Sequence, residues 1–401
     1  MATRRHLLLA ALLCGALIGC SAGSQDSATG ADDPAPTVTV SPSELAATLG
    51  AAEPGDVIAV SGGTIQGGLY LADIHGTEDQ PITVRAADPD DPPIFEGGGQ
   101  AMHLVDVSWL VLEGLHVRNM TANGINIDDG GSFDTPSHDV VLRSLVIEDV
   151  GPDGNRDGLK LSGVVDFRVE GCRFVRWGSG GSGIDMVGCH RGVIEGCEFE
   201  HEPGSMGSGV QAKGGSAEIT VRGCDFVDAG SRAVNIGGST GLEFFRPEPQ
   251  GYEAKDITVE GCTFTGSLAP IAYVGVDGAT VRYNTMYRPG RWAIRILQET
   301  TGEAFVPCRK GAFTDNIVVF RSGEWASGGV NIGPGTAPET FEFARNLWYC
   351  EDQPGASTPS LPTEETDGVY GVDPQLADPE AGDFGLQPGS PAEGKGATAL
   401  P

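Results

Sequence analysis

Seven short segments of the sequence place a polar residue between two apolar ones, directly after a small residue. The segment at 124–127, Gly-Ile-Asn-Ile, is typical. Successive side chains of a β-strand point to opposite faces, so the polar members would share one outer face. These members are Asn126, Lys160, Asp185, Gln211, Asn235, Arg295 and Asn331. With Trp292 and Tyr273 expected nearby, they predict a sugar-binding face. An ordinary solvated sheet face is the alternative.

A second chemical pattern is Asp153-Gly-Asn155-Arg-Asp157-Gly, which has the opening of a calcium loop. Oxygen ligands at alternate positions, followed by glycine, suit a hard cation. Asp153, Asn155 and Asp157 are therefore predicted calcium ligands. The position where an EF-hand has its glutamate is Val164, so the loop is not of that class, and turns of this kind also occur without an ion.

An internal repeat determines which elements position these residues. The phrase Glu170-Gly-Cys-Arg-Phe returns with its cysteine at 197, 224 and 262, and looser copies extend the series at spacings of 22 to 38 residues. Such periods indicate stacked supersecondary units. Short alternating runs and 61 glycines favour strands over helices. We predict an all-β, right-handed parallel β-helix in which Cys172, Cys197, Cys224 and Cys262 form an internal column.

The amino-terminal region predicts export. Residues 1–20 combine Arg4 and Arg5 with a short apolar run ending at Cys20, which is typical of a lipoprotein signal peptide and too short to span a membrane. Cys20 would carry the lipid and tether the protein to the bacterial cell envelope, at the outer membrane. Residues 21–36 are expected to form a flexible tether.

The remaining chain is predicted to be one solenoid. The β-helix would cover residues 37–350, with a capping helix near Ser43–Ala52 in which Ser43 precedes Glu44 as N-cap. Residues 351–401 would form a loop and a closing segment packed on the coil. We expect a monomer.

Charge and cysteine usage limit the partners. A net charge of −30 excludes an overall basic face, so nucleic acid is not an expected partner. Of nine cysteines, Cys14 and Cys20 belong to the signal. Cys308 and Cys350, both in insertions near the end, are the predicted disulfide, which leaves Cys189 unpaired.

The chain resembles the β-helix polysaccharide lyases of the chondroitinase B and alginate lyase family. The resemblance rests on segments 45–49, 54–58 and 81–85, and on Gln211-Ala-Lys213-Gly-Gly-Ser. It implies that Lys213 is catalytic and that Arg232 is the nearest counterpart of the family's catalytic arginine. The family's two calcium-binding glutamates are replaced by Met206 and Ser208, which puts calcium-assisted chemistry of that type in question.

These residue types suit uronate β-elimination on an acidic polysaccharide. Donors such as Asn235, Gln211 and Arg295 would hold the C5 carboxylate and acidify the adjacent proton. Lys213 would remove that proton if a neighbouring cation, here Arg232, lowers its pKa. As the alternative, Lys213 is a surface lysine beside a Gly-Gly turn.

Two other functions stay open. Polygalacturonase-like hydrolysis is favoured by Asn126-Ile-Asp128-Asp129 and by His190 before Arg191-Gly192, with Asp157 or Asp185 as a second carboxylate. That family's Arg-x-Lys element is missing after Arg295. A glycan-binding or structural surface protein without catalysis would need only the polar face.

Overall fold

The sequence repeats form the rungs of a parallel β-helix in the computed structural model, which describes residues 34–401. Each rung runs through three strands, and each strand pairs in parallel with its equivalent in the next rung. Neighbouring rungs are thus about 4.8 Å apart. The predicted fold class is confirmed. The predicted signal peptide 1–20, its Cys20 and all but the end of the 21–36 tether lie outside the described residues.

The strands form three faces. The first face contains Leu69–His75, the first half of Met102–Glu113, Ile125–Asp128, Leu159–Ser162, Ser182–Val187, Ser208–Lys213, Arg232–Gly237, Ala269–Val274, Ile294–Leu297 and Val330–Ile332. The second face contains Val38–Val40, Val57–Val60, Ile82–Ala86, the second half of Met102–Glu113, Ser137–Arg143, Val164–Val165, Arg168–Glu170, His190–Glu195, Ser216–Arg222, Ala254–Glu260, Val276–Arg282, Arg309–Thr314 and Glu342–Ala344. The third face contains Gly63–Gln66, Pro93–Glu96, His116–Arg118, Val146–Glu148, Arg173–Val175, Glu198–Glu200, Asp225–Val227, Thr263–Thr265, Thr285–Tyr287, Ile317–Phe320, Leu347–Cys350 and Val369–Tyr370.

The turn between the second and third faces requires a residue with positive φ. The repeated phrase supplies it with Gly171, Gly196, Gly223 and Gly261, whose φ angles are 57° to 63°. A Cβ on the first three of these glycines would meet no atom within 4 Å, so the backbone conformation and not space favours glycine. Other rungs hold the same conformation with Ser144, Tyr283, Asp315 and Arg345.

The residue after this turn points into the coil and forms the predicted internal column. The four cysteines of the column are buried, and their thiols lie against backbone carbonyls, as Cys224 Sγ does 3.3 Å from Arg222 O. Asparagines continue the column: Asn284 Nδ2 donates to Asn316 Oδ1 at 2.9 Å, and Asn316 Nδ2 donates to Asn346 Oδ1 at 3.0 Å. Each buried amide is thus satisfied by the next rung.

The amino-terminal end is covered by an α-helix, Leu45–Leu49, which buries Leu45 and Leu49 over the first rungs. The helix lies where the sequence places it, but it is shorter. The N-cap position is Glu44, and no side chain makes a capping hydrogen bond. Ser41 instead donates to the Glu44 carboxylate from its amide and its hydroxyl. The assignment of Ser43 as N-cap was therefore wrong.

The carboxyl-terminal segment packs on the third face. Val369–Tyr370 pairs with Leu347–Cys350, so the sheet continues past the predicted boundary at 350. A hairpin of Leu376–Asp378 and Asp383–Leu386 follows, and Leu376 and Phe384 join an apolar cluster with residues of the coil. Single 3-10 turns lie at Leu242–Phe244, Ser327–Gly329, Pro338–Thr340, Pro354–Ala356, Pro379–Ala381 and Ala397–Ala399. Within residues 34–401, no helix has the length and apolar character needed to cross a membrane.

The predicted Cys308–Cys350 disulfide is not formed. Both thiols are free and buried, and they belong to different faces. Cys308 pairs through its backbone with Thr336 just before a strand of the second face, whereas Cys350 ends a strand of the third face. Spacing along the chain could not reveal that the coil separates them.

Candidate functional site

The first face carries one outward column of side chains over ten rungs, which we call the polar column. In register, it consists of Tyr70, His103, Asn126, Lys160, Asp185, Gln211, Asn235, Ala272, Arg295 and Asn331. The structure thus brings together all seven residues that the alternation places outward. It adds Tyr70 and His103 before them and interrupts the polar run with the small side chain of Ala272.

The middle of the polar column is a buried acid–lysine cluster made of Asp157, Lys160, Asp185 and Lys213. Asp185, 1% exposed, binds two ammonium groups: Lys160 contacts its Oδ2, and Lys213 Nζ lies 3.1 Å from its Oδ1. Asp157 Oδ2 lies 3.7 Å from Lys160 Nζ. Two carboxylates and two ammonium groups balance one another here. Burial of this many charges is maintained only by such pairing.

Burial changes the protonation of the acid–lysine cluster. Desolvation, together with the charge of Asp185, raises the pKa of Asp157 to about 6. Burial alone would lower the pKa of Lys160, but Asp185 and Asp157 outweigh it and the pKa is raised. Asp157 is thus a carboxyl that titrates near neutral pH beside a second carboxylate, a pattern found among catalytic acids.

Lys213 has a different neighbour from the one that its sequence predicts. Gln211 pairs with Asn235, so Lys213 falls opposite Gly237, and Arg232 begins the same strand five residues earlier. The ion-pair partner of Arg232 is Glu299, at 2.6 Å. The expectation that Arg232 provides the positive charge beside Lys213 was therefore wrong. The cation that shares a carboxylate with Lys213 is Lys160.

Glu253 holds the turn after Lys213 in place. This fully buried carboxylate accepts hydrogen bonds from the amide of Gly214 at 2.8 Å and from the amide and hydroxyl of Thr240 at 2.9 and 2.7 Å. Thr300 also donates to it. Glu253 therefore joins the turn at Lys213 to the insertion that follows the next rung. Sequence reasoning missed it, because its partners come from separate insertions.

Gln211 connects Lys213 to the rest of the column. Its Oε1 lies 3.3 Å from Lys213 Nζ and 3.5 Å from Ser182 Oγ, and its Nε2 donates to Gly237 O at 3.3 Å. The amide is thus oriented with its oxygen toward the acid–lysine cluster.

Beyond Asn235 the column becomes positive. Arg291 and Arg295 form a cationic cluster with Arg232, whose charge acts on Arg295, and the guanidinium carbons of Arg291 and Arg295 lie 4.6 and 4.7 Å from the Trp292 ring centroid. Arg232 donates to Asn235 Oδ1 at 3.4 Å and Arg295 to Asn331 Oδ1 at 3.0 Å. Burial, then the neighbouring arginines, lower the pKa of Arg295. Guanidinium groups held on an aromatic face suit the binding of carboxylates.

Tyr273, expected near this face, lies inside the coil. It is fully buried, and its hydroxyl donates to Ala312 O at 2.9 Å. The outward residue of its strand is Ala272, and alternation therefore turns Tyr273 inward.

The predicted calcium ligands do not present one set of oxygens. Asp153 and Asn155 are exposed, whereas Asp157 is buried and accepts a hydrogen bond from the Ser182 amide at 2.8 Å. Within residues 34–401, one group of three His, Cys, Asp or Glu residues has its ligand atoms all within 4.8 Å of one another, Asp73, His75 and Asp106, and it includes none of the predicted ligands. The calcium site stays a prediction.

The residues that would carry out hydrolysis lie on two different faces. Asp128 lies on the first face, where its Oδ2 is 2.5 Å from His103 Nε2. His190 is on the second face, where its Nε2 donates to Arg246 O at 3.3 Å. Burial lowers the pKa of His190. His190 therefore takes no part in the polar column.

The comparisons with known proteins support the architecture. Residues 100–247 match the family model described as a right handed beta helix region. No curated protein sequence matches this chain. The chain is a right-handed β-helix protein.

Solved structures similar to this β-helix protein include enzymes of two reaction classes. An alginate lyase from Paenibacillus sp. strain FPU-7 is 22% identical over 74% of this chain and 96% of its own, with a TM-score of 0.47. A pectate lyase is 13% identical over 74% and 73%, with a TM-score of 0.50. A lacto-N-biosidase from Eubacterium ramulus is 14% identical over 82% and 64%, also with a TM-score of 0.50. Most such neighbours are polysaccharide lyases, and at these identities the likeness shows the fold alone.

Proposed function

We propose that this protein binds an acidic polysaccharide along the first face and cleaves it by β-elimination next to a uronate. The observation that carries the proposal is the register of the polar column, which places the acid–lysine cluster and the cationic cluster in one line along the first face. Lys213 belongs to the first cluster, and Arg295 lies three rungs beyond Gln211. A polymer lying parallel to the coil axis would contact both.

The cationic cluster is the proposed site for uronate carboxylates. Arg295 keeps a side-chain oxygen partner, Asn331, that orients the guanidinium, whereas Arg232 is already paired with Glu299. Guanidinium groups bind carboxylates through paired hydrogen bonds. Neutralising a uronate carboxylate stabilises the negative charge that develops at C5 when its proton is removed.

Lys213 is the proposed base and Asp157 the proposed acid. Asp185 Oδ1 is buried and lies 3.1 Å from Lys213 Nζ, so it positions the lysine, which acts as base in its uncharged amine form. The free amine then accepts the C5 proton. The electron pair of the C5–H bond forms the C4–C5 double bond as the C4–O bond breaks. The departing oxygen takes its proton from Asp157, which titrates at a pKa of about 6.

Hydrolysis is the second candidate, and the raised pKa of Asp157 favours it. Asp157 and Asp185 both contact Lys160, and their environments separate their roles: one titrates near neutral pH and the other binds two ammonium groups. An acid and a carboxylate beside one glycosidic bond are what hydrolysis requires.

One panel of assays separates these functions. The purified protein is incubated with alginate, pectate and chondroitin sulfate, and ultraviolet absorbance, reducing ends and binding are measured in parallel. We expect absorbance to rise with reducing ends, because elimination creates an unsaturated sugar. The matched control is the same polymer with its carboxyl groups reduced to alcohols, which elimination should leave intact.

Three results would contradict elimination. Reducing ends without absorbance would indicate hydrolysis, and so would cleavage of the carboxyl-reduced polymer. Binding without either product would indicate a glycan-binding surface.

A further inference from the structure

The amino-terminal end of the polar column carries an exposed aromatic side chain. Tyr70 pairs with His103, and His103 with Asn126, so both stand in line with Lys160 and Asp185. Tyr70 is 61% exposed although it belongs to a strand of the coil. Its ring meets the imidazole of His103 at 87° with 5.3 Å between centroids. This contact fixes the ring and leaves most of it open to solvent.

His103 is itself held by a carboxylate. Its Nε2 lies 2.5 Å from Asp128 Oδ2, and the other oxygen of Asp128 accepts a hydrogen bond from the Gly130 amide at 2.9 Å. The imidazole is thus oriented by a partner that is itself fixed by the backbone. Such a chain of contacts pre-organises a side chain for binding.

The chemistry of this end differs from that of the cationic cluster. The column residue with basic character at this end is His103, and its imidazole already faces Asp128, whereas Arg291 and Arg295 stack on Trp292. An open aromatic ring packs against the C–H face of a pyranose ring, and an oriented imidazole bonds to hydroxyl groups. The combination fits the ring of a sugar and does not depend on a carboxylate.

We infer that Tyr70 and His103 form a distal sugar subsite, and that the polysaccharide runs past both sides of the acid–lysine cluster. This inference rests on the proposed polysaccharide-binding function of the first face. At about 4.8 Å per rung, His103 lies about 10 Å and Tyr70 about 14 Å from Lys160 on one side. Arg295 lies five rungs, or about 24 Å, from Lys160 on the other. A chain occupying both arms is cut in its interior.

The test compares the binding of short and long oligosaccharides. The ligands are prepared from whichever of alginate, pectate or chondroitin sulfate the protein binds. They are trisaccharides and chains of about ten sugars, and the longer chains can cover ten rungs at about 4.8 Å each. Tyr70→Ala should weaken binding of the long chain about tenfold, which equals about 1.4 kcal/mol, and leave trisaccharide binding unchanged. Tyr70→Phe keeps the ring and should bind nearly as the parent does. Tyr370→Ala, which removes an exposed tyrosine from the third face, is the off-site control.

The outcomes keep this inference apart from the proposed reaction. Equal long-chain affinity of Tyr70→Ala and the parent protein overturns the subsite, whatever the activity. Release of only terminal units from long chains overturns the interior mode of cleavage. A parent protein that binds long chains more tightly than short ones through Tyr70, yet forms no product, supports the subsite and contradicts the reaction. Failure to bind all three polysaccharides overturns both.

Discussion

Lys213 Nζ lies 3.1 Å from Asp185 Oδ1, so the lysine proposed as base is an ion-pair partner of a carboxylate that is almost completely buried. Asp185 also binds Lys160. The same contact that positions Lys213 therefore contributes to the stability of the coil. Chemistry and stability are linked at this rung.

Replacing Asp185 with asparagine should destabilise the protein by about 3 kcal/mol, because it leaves two partly buried ammonium groups without the buried carboxylate that they share. The free energy of unfolding by urea is the measurement. Asp166→Asn is the matched control: its carboxylate pairs with Arg191 at the surface, and its loss should cost about 1 kcal/mol or less. Equal effects of the two substitutions would contradict the role of Asp185.

Asp157→Asn should change the pH dependence of stability. The pKa of Asp157 in the folded protein, about 6, lies above the ordinary value of 3.8. The stabilisation that the protonated carboxyl gives the folded state is therefore complete below pH 3.8 and is lost as the pH rises through about 6. The asparagine variant should therefore gain stability relative to the parent over this range, by about 3 kcal/mol in total. Unfolding measured across that range tests this. Asp153→Asn, exposed in the same loop, should show no such trend. A flat difference for Asp157→Asn would argue against the raised pKa.

Lys213→Ala should reduce elimination about 10²- to 10⁴-fold, the usual effect of losing a general base. The initial rate of absorbance increase at saturating substrate is the measurement. Lys255→Ala removes a half-exposed lysine from the second face and should retain the parent rate. Nearly full activity of Lys213→Ala in folded protein would remove Lys213 from the mechanism.

Cys20→Ala should release the protein from membranes. The alanine variant lacks the thiol that the proposed lipid would modify, and one anchoring signal would be lost. Fractionation of cells into membrane and soluble parts, with Cys14→Ala as control, provides the test. If the Cys20→Ala and Cys14→Ala variants both stay in the membrane fraction, lipidation at Cys20 is contradicted.

The fold was predictable because each rung repeats one local rule. The glycine before each cysteine marks a turn with positive φ, and strict alternation around Asn126 or Asn235 states which side chains point outward. The same alternation at Met102-His103-Leu104, which follows the small residue Ala101, could have revealed His103.

Contacts between insertions were not predictable. Glu253 reaches Gly214 across a 39-residue separation, and Arg232 pairs with Glu299 across 67 residues. The sequence places Arg232 one rung from Lys213. Only the register shows that Lys213 ends its strand whereas Arg232 begins the next one, so the two residues lie at opposite ends of the paired strands. Tyr273 was expected near the outer face but is buried, and its hydroxyl donates to a backbone carbonyl inside the coil.

The last rungs of the coil have a consequence for solubility. The final strand of the third face, Val369–Tyr370, has only two residues, and Glu365 accepts hydrogen bonds from Asn346, Trp348 and Tyr370. The helix Leu45–Leu49 covers the opposite end. A coil of stacked strands with open ends would recruit a second coil through its unpaired backbone groups. Glu365 and the helix thus act against end-to-end polymerisation, and a chain without the closing segment should form fibres.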